Sequence, residues 1–204
     1  MAVLTISRQF GAGGRTLGEA IAKRLGYRYV EEDLIKELAI KAKVSARQIK
    51  EFEERGISKL LKFLDKIVSA SYVDRLSSDD YRYVDEEIYM GAIKTVIEDL
   101  YQEGNVVIIG RGGQYILKGC ENVRRILLIA SLEHRVRFMM ERYSLSEDRA
   151  AKAIRRADQI RTRFLNLFAS EGAHDDPLTY DLTMNMEQLS IEEAERIAVG
   201  LITA

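Results

Sequence analysis

The sequence predicts an α/β protein with a five-stranded parallel sheet covered on both faces by helices, a three-layer α/β/α arrangement. Three observations carry that prediction. The strand segments are solid apolar runs rather than alternating ones, which marks strands buried on both faces. Segments of helical period separate them, the order expected of strand–helix–strand crossovers. A glycine cluster, Gly11, Gly13, Gly14 and Gly18, follows the first strand at once.

In chain order, Val3 to Ile6 is the first strand, running into that glycine loop. Leu17, Ala20, Ile21 and Leu25 then repeat at helical spacing, and Gly26 ends the helix. Tyr27 to Val30 is a second short strand, and Glu31 to Lys43 reads as helix. Ser45 with Gln48 forms a capping-box signal, and Ile57 to Ala70 carries another helical stripe. Ser71 to Asp85, rich in Ser, Asp and Tyr, is expected to be mobile. Ile88 to Tyr101 is a long helix closed by Gly104. Val106 to Ile109 and Arg125 to Ala130 are strands. Ser131 opens a helix to Tyr143, and Ser146 a longer one to about Ser170. Tyr180 to Met184 is the last strand. Ser190 and Glu193 make a second capping box before a terminal helix.

Composition narrows the class. The 204 residues suit one domain, 47% hydrophobic, with formal net charge −1; no global field points to nucleic acid or an anionic membrane. Residues 45–103 hold thirteen acids and nine bases, so no nucleic-acid footprint is expected there. A single cysteine, Cys120, excludes an internal disulfide, and no run reaches the ~18 apolar residues of a membrane span. A cytoplasmic location is expected. The tyrosines Tyr72, Tyr81, Tyr83 and Tyr89 are expected to pack within the helical segment or across a homodimer.

The chemistry concentrates in Arg8-Gln9-Phe10-Gly11-Ala12-Gly13-Gly14-Arg15-Thr16. At the C-terminal end of the first strand and the start of the first helix, this is where an open α/β sheet binds ligands. Glycines let backbone N–H groups curl around phosphate oxygens, and the helix N-terminus adds partial positive charge. The expected phosphate contacts are Arg8, Gly11, Ala12, Gly13, Gly14, Arg15 and Thr16, with the Thr16 hydroxyl also available to magnesium. The usual phosphate loop, G-x-x-x-x-G-K-[ST], places a lysine where this chain has Gly14. Either Arg8 or Arg15 is expected to replace that cation, since guanidinium clamps phosphate bidentately. The bland alternative is a glycine-rich turn with no ligand.

A second basic feature lies between Arg135 and Arg163, where nine basic residues face four acidic ones. Arg149, Arg156 and Arg163 repeat every seven residues on one helix face, away from the apolar stripe. Beside an anion loop, that face reads as a lid for a transferring phosphoryl group; alone it would be a solvated surface. Asp158 is expected to pair with Arg155 or Arg161, or to accept from a ribose hydroxyl. Glu31, Glu32 and Asp33 follow the second strand as acceptor or water-mediated magnesium ligands, or merely as a charged helix start. His134 and His174 are too isolated for a metal site.

The segments LTISRQFGAGGRTLGEAIAKRLGYRYVEEDLI (4–35), GNVVIIGRGGQYIL (104–117), ILLIASLEHRVRFMMERYSLSE and DDPLTYDLTMN resemble the cytidylate kinase-like proteins among the nucleoside monophosphate kinases. The resemblance implies a P-loop NTPase fold as a single domain over 1–204, with a helical monophosphate-binding insert at about 31–103 and a lid at about 146–176. It implies transfer of the γ-phosphoryl group of ATP, with Mg2+, to a nucleoside monophosphate, CMP or dCMP. It places Arg111 on the acceptor phosphate, Glu31, Asp33 and Lys36 in the segment that holds the acceptor, and Arg156, Arg161 and Arg163 on the transferred phosphoryl. Gly112 stands where the family has aspartate, and Glu37 where it has arginine. A nucleotide-binding regulator with little turnover, or a kinase of a non-nucleotide metabolite, are the rival readings. Replacing Arg15 by alanine is expected to lower turnover by about tenfold or more; unchanged steady-state kinetics would remove Arg15 from the mechanism.

Overall fold

The structure, a computed structural model, describes residues 1–31, 46–47, 49–50, 86–169 and 174–203. Asp33 and Lys36 lie outside the described residues, as do the predicted helix at 31–43 beyond Glu31, the predicted helix at 57–70, the capping box at Ser45 and the stretch 71–85.

Five strands form one sheet: β1 (Val3–Arg8), β2 (Arg28–Val30), β3 (Val106–Ile109), β4 (Val123–Ile129) and β5 (Leu182–Asn185), in the order β2-β3-β1-β4-β5. Every pairing is parallel, with Ile6 opposite Ile109 on one side and Ile126 on the other. The helices are α1 (Gly14–Leu25), α2 (Glu86–Glu103), α3 (Gly113–Ile116), α4 (Leu132–Tyr143), α5 (Glu147–Leu165) and α6 (Ile191–Thr203), with a short 3-10 turn at Pro177–Thr179.

The chain divides into two compact units, one of residues 1–31 and 97–204 and one of residues 32–96. The first holds all five strands and every element named above except the start of α2. Of the second, the description covers only that start and a helical fragment around residues 46–50.

β1 is the central strand and is buried from Val3 to Ser7. Leu4 and Ile6 point into a core shared with Leu17 and Ile21 of α1, Val107 and Ile109 of β3, Ile126 and Leu128 of β4 and Ala194 and Ala198 of α6. The connection leaving β1 runs toward β2 and the one leaving β4 runs toward β5, so a crevice opens beyond the carboxyl ends of the strands. The caps follow the sequence. Ser131 Oγ accepts from His134 N–H at 3.2 Å, and Ser190 with Glu193 closes its box at 2.9 and 3.2 Å.

Most boundaries shift by one or two residues, as where β4 starts at Val123 rather than Arg125; two toward the end of the chain shift for reasons the structure shows. The last strand starts at Leu182 rather than Tyr180, because the Tyr180 N–H is spent on the Pro177 carbonyl at 3.1 Å, closing the 3-10 turn. The helix expected to reach Ser170 ends at Leu165, after which the chain turns and sets Phe168 against Gly112.

Since Ile6 is fully buried, Ile6→Ala leaves a cavity under the strand that carries the glycine loop. It should cost about 2–5 kcal/mol of stability, read as a fall in the urea midpoint at unchanged slope.

Candidate functional site

β1 delivers Arg8 to its C-terminal end, and the chain then turns through Gln9–Gly13 into α1. Gly13 caps that helix with a left-handed backbone, without a side-chain cap and with no acidic residue in the first turn. The N–H groups of the first turn are therefore left for something else. They border a cleft of about 310 Å3 lined by Arg8, Phe10, Gly11, Gly13, Gly14, Arg15, Thr16 and Glu31 on one side and Phe138, Met139 and Tyr143 of α4 on the other. Ala12 is buried beneath the loop.

Glu31, one residue past β2, is the centre of charge. It accepts from Arg8 Nη2 at 3.1 Å, Arg15 Nε at 2.8 Å and the Tyr29 hydroxyl at 2.7 Å. Burial would raise its pKa, but the Tyr29 hydrogen bond and the charges of Arg8 and Arg15 outweigh that and hold it below the ordinary carboxylate range. Burial and the bond to Glu31 push the Tyr29 hydroxyl well up, so it stays a donor. Burial also lowers the Arg8 guanidinium, against the pull of Glu31, and the nearby charges of Arg111 and Arg161 lower it further.

Arg161 of α5 reaches the same strand end. It donates twice to Asp175, at 2.5 and 3.0 Å, and to Ser7 Oγ at 3.0 Å. Arg111 sits after β3 in the turn closed by Gly113 N–H to Gly110 carbonyl at 3.2 Å, with positive φ at both central residues. The structure thus gathers Arg8, Arg15, Arg111, Arg161 and Glu31. Arg156 and Arg163 are exposed on α5 and do not line the cleft. Thr16 lines it as expected.

Asp158 corrects the sequence reading. Its partner is Arg135 of α4, Nη1 to Oδ2 at 2.7 Å, rather than Arg155 or Arg161. Arg155 faces solvent and Arg161 is held by Asp175. The Arg135–Asp158 pair grips the two peptide units that flank Phe10 in the phosphate loop. Arg135 Nη1 also donates to the Phe10 carbonyl at 3.1 Å, and the Phe10 N–H donates to Asp158 Oδ1 at 3.4 Å.

Arg135, Tyr29, Asp175 and Ser7 were missed as site residues. For Tyr29 the proximity to Glu31 was a signal; the others are joined only by the fold.

For magnesium, the donors present are the Thr16 hydroxyl and the Glu31 carboxylate. Glu31 already accepts three hydrogen bonds, and no group of three acidic, histidine or cysteine side chains able to hold a metal occurs among the described residues. A magnesium ion fits here only as one carried by phosphate oxygens with Thr16 completing its shell.

The sequence profile of the cytidylate kinase-like family matches residues 3–188. The chain belongs to the cytidylate kinase-like family. No curated protein sequence matches it significantly. Among solved structures, an uncharacterized protein from Eubacterium ventriosum ATCC 27560 is 17% identical, covering 100% of this chain and 99% of that one, with TM-score 0.69. A shikimate kinase from Bacteroides thetaiotaomicron is 15% identical over 100% and 99% of the two chains at TM-score 0.50. A gluconokinase from Sinorhizobium meliloti 1021 is 12% identical over 99% and 91%, also at 0.50. These likenesses establish a P-loop kinase fold.

Within this cytidylate kinase-like chain, residue 112 has no room for a side chain. A Cβ on Gly112 would lie 2.6 Å from the Phe168 ring, and its φ is +72°. Phe168 stacks on Tyr115 with centroids 5.9 Å apart and meets Phe164 edge-on at 5.4 Å. Aromatic packing fills the space that any side chain at residue 112 would use.

The depressed Glu31 pKa sets a pH dependence. A carboxylate whose folded pKa is below its unfolded value stabilises the fold fully above the unfolded pKa, about 4.3, and loses that contribution as pH falls through the lower folded value. Glu31→Gln should flatten this acid limb in thermal melts from pH 7 down to 3; an unchanged limb would mean the carboxylate is not ionised against Arg8 and Arg15.

Proposed function

We propose that the chain transfers the γ-phosphoryl group of ATP to a nucleoside monophosphate, with CMP or dCMP as acceptor and magnesium as the accompanying ion. The placement of Arg8 and Arg15 at an uncapped, glycine-lined helix start, with Arg111 and Arg161 near Arg8 at the adjoining strand ends, carries this reading. Phosphoryl transfer asks for little covalent help from a protein; it needs positioning and positive charge around the spreading equatorial charge.

In this reading the triphosphate lies along Gly11 to Thr16 and the first-turn N–H groups, with Ala12 supporting the loop. Its base rests on Phe138, Met139 and Tyr143, the apolar wall of the cleft. Arg111 holds the acceptor phosphate, an oxygen of which attacks Pγ. The bond from Pγ to the bridging oxygen breaks, its electron pair leaves on ADP, and the acceptor becomes a diphosphate. Arg161 faces the transferring group. The family resemblance adds Asp33 and Lys36 at the acceptor, and Arg156 and Arg163 as residues of a lid at about 146–176 that closes on the phosphoryl. Asp158 holds the loop through Phe10, and magnesium uses the Thr16 hydroxyl.

A non-nucleotide acceptor is favoured by one observation: Phe168 takes the place of the carboxylate that the family uses beside its monophosphate. The experiment is ADP release from MgATP with CMP, dCMP, UMP, AMP and GMP, then with shikimate, gluconate and small alcohols. Release that requires CMP or dCMP supports the first reading. Release only with a non-nucleotide favours the second, and tight MgATP binding without turnover on any acceptor favours a regulator.

A further inference from the structure

We infer that Arg8 is the catalytic cation of this chain, delivered from the end of β1 across Gly14, and that Gly14 is glycine because the Arg8 side chain fills the space a lysine there would need. This rests on the phosphotransferase reading and names which of the two flanking arginines serves the transferred group.

The steric observation is direct. A Cβ on Gly14 would stand 2.7 Å from Arg8 Cγ, 3.1 Å from its Cβ and 3.3 Å from its Cδ. These are stem atoms close to the Arg8 backbone, which cannot swing aside without moving the whole side chain. Gly14 has no positive φ and occupies the first position of α1, so its backbone does not call for glycine. What excludes a side chain at residue 14 is Arg8 itself.

Arg8 continues past Gly14 toward β3. A Cβ on Gly110 would meet Arg8 Nη1 and lie 3.4 Å from Cζ. The stem therefore lies over the start of α1 while the guanidinium lies over the start of the Arg111 turn. That is the gap between the glycine loop and the residue read as holding the acceptor, where a transferring group would pass.

The two arginines are placed differently. Arg8 is 31% exposed in its side chain and Arg15 is 49% exposed. Arg8 feels the charges of Arg111 and Arg161 as well as Glu31, so it belongs to a cation cluster that an entering dianion would relieve. Arg15 reaches Glu31 through Nε at 2.8 Å from the more exposed side and acts as a positioning residue for that carboxylate. The family's lysine and this chain's Arg8 are alternative occupants of one volume, approached from the helix in one case and from the strand in the other.

The test is a cycle of Arg8→Gly, Gly14→Lys and the double variant, with Arg8→Lys as the conservative control. MgATP binding is measured by calorimetry and turnover with the acceptor found above. Arg8→Gly should lose about a hundred- to thousand-fold in turnover. Gly14→Lys alone should also lose activity, and the double variant should regain at least about tenfold over Arg8→Gly, because the lysine then has the vacated space. An Arg8→Gly variant with wild-type turnover, or a double variant no better than Arg8→Gly, overturns the assignment.

Failure of the underlying reading looks different: the wild-type protein itself would neither bind MgATP nor turn over. The steric claim is still decided in that case by thermal melts of Gly14→Ala. Alanine should lower Tm in the presence of Arg8 and raise it in the Arg8→Gly background, where only its better helix propensity remains. The same sign of shift in both backgrounds would show that Arg8 does not occupy the residue-14 space.

Discussion

A partly buried carboxylate shared by two arginines and a tyrosine organises the end of the sheet. Desolvation favours the neutral form of the Glu31 carboxyl; the hydrogen bonds donated by Tyr29, Arg8 and Arg15 outweigh it and favour the charged form. In return, the carboxylate fixes two guanidinium groups that would otherwise repel each other and the nearby Arg111 and Arg161. Removing one member of such a cluster leaves an uncompensated charge, which costs more than the pair contributes by forming. The cluster therefore holds positive charge in a fixed place at the end of the sheet, the preorganisation that the proposed phosphoryl transfer would use.

The phosphate loop is fixed from the other side by a single ion pair. Arg135 is nearly inaccessible, and its Nε has no partner among the described residues. An arginine is a demanding occupant of such a position, and its Nη1 is spent on the Phe10 carbonyl and on Asp158. Because Asp158 also receives the Phe10 N–H, both polar groups flanking that residue are satisfied by side chains from α4 and α5. The loop and those two helices are thereby joined through polar contacts as well as through packing.

The sheet was legible because parallel strands buried on both faces leave unbroken apolar runs, and all five stood near their expected places. The phosphate loop was legible because glycines after a strand and before a helix have few other uses. What sequence could not supply was the partner of each charged side chain. Asp158 had two arginines at helical spacing, yet it pairs with Arg135, 23 residues away, because the α4–α5 packing decides which face meets the loop. Equally, nothing in the spacing separated Arg8 from Arg15. That needed the distances from Gly14 and Gly110, which depend on how β1, α1 and β3 meet.

The departures from the family pattern then form two compensated exchanges rather than a list of losses. At Gly14 the missing lysine coincides with an arginine stem lying over the same spot. At Gly112 the missing aspartate coincides with the Phe168 ring, itself held by Tyr115 and Phe164. On the proposed reading, the first exchange keeps a cation beside the glycine loop, and the second sets an apolar surface where the family resemblance implies a charged one. Donor chemistry and acceptor choice are then separable: the charge at the end of β1 bears on phosphoryl transfer, while the aromatic cluster at α3 bears on which acceptor is taken.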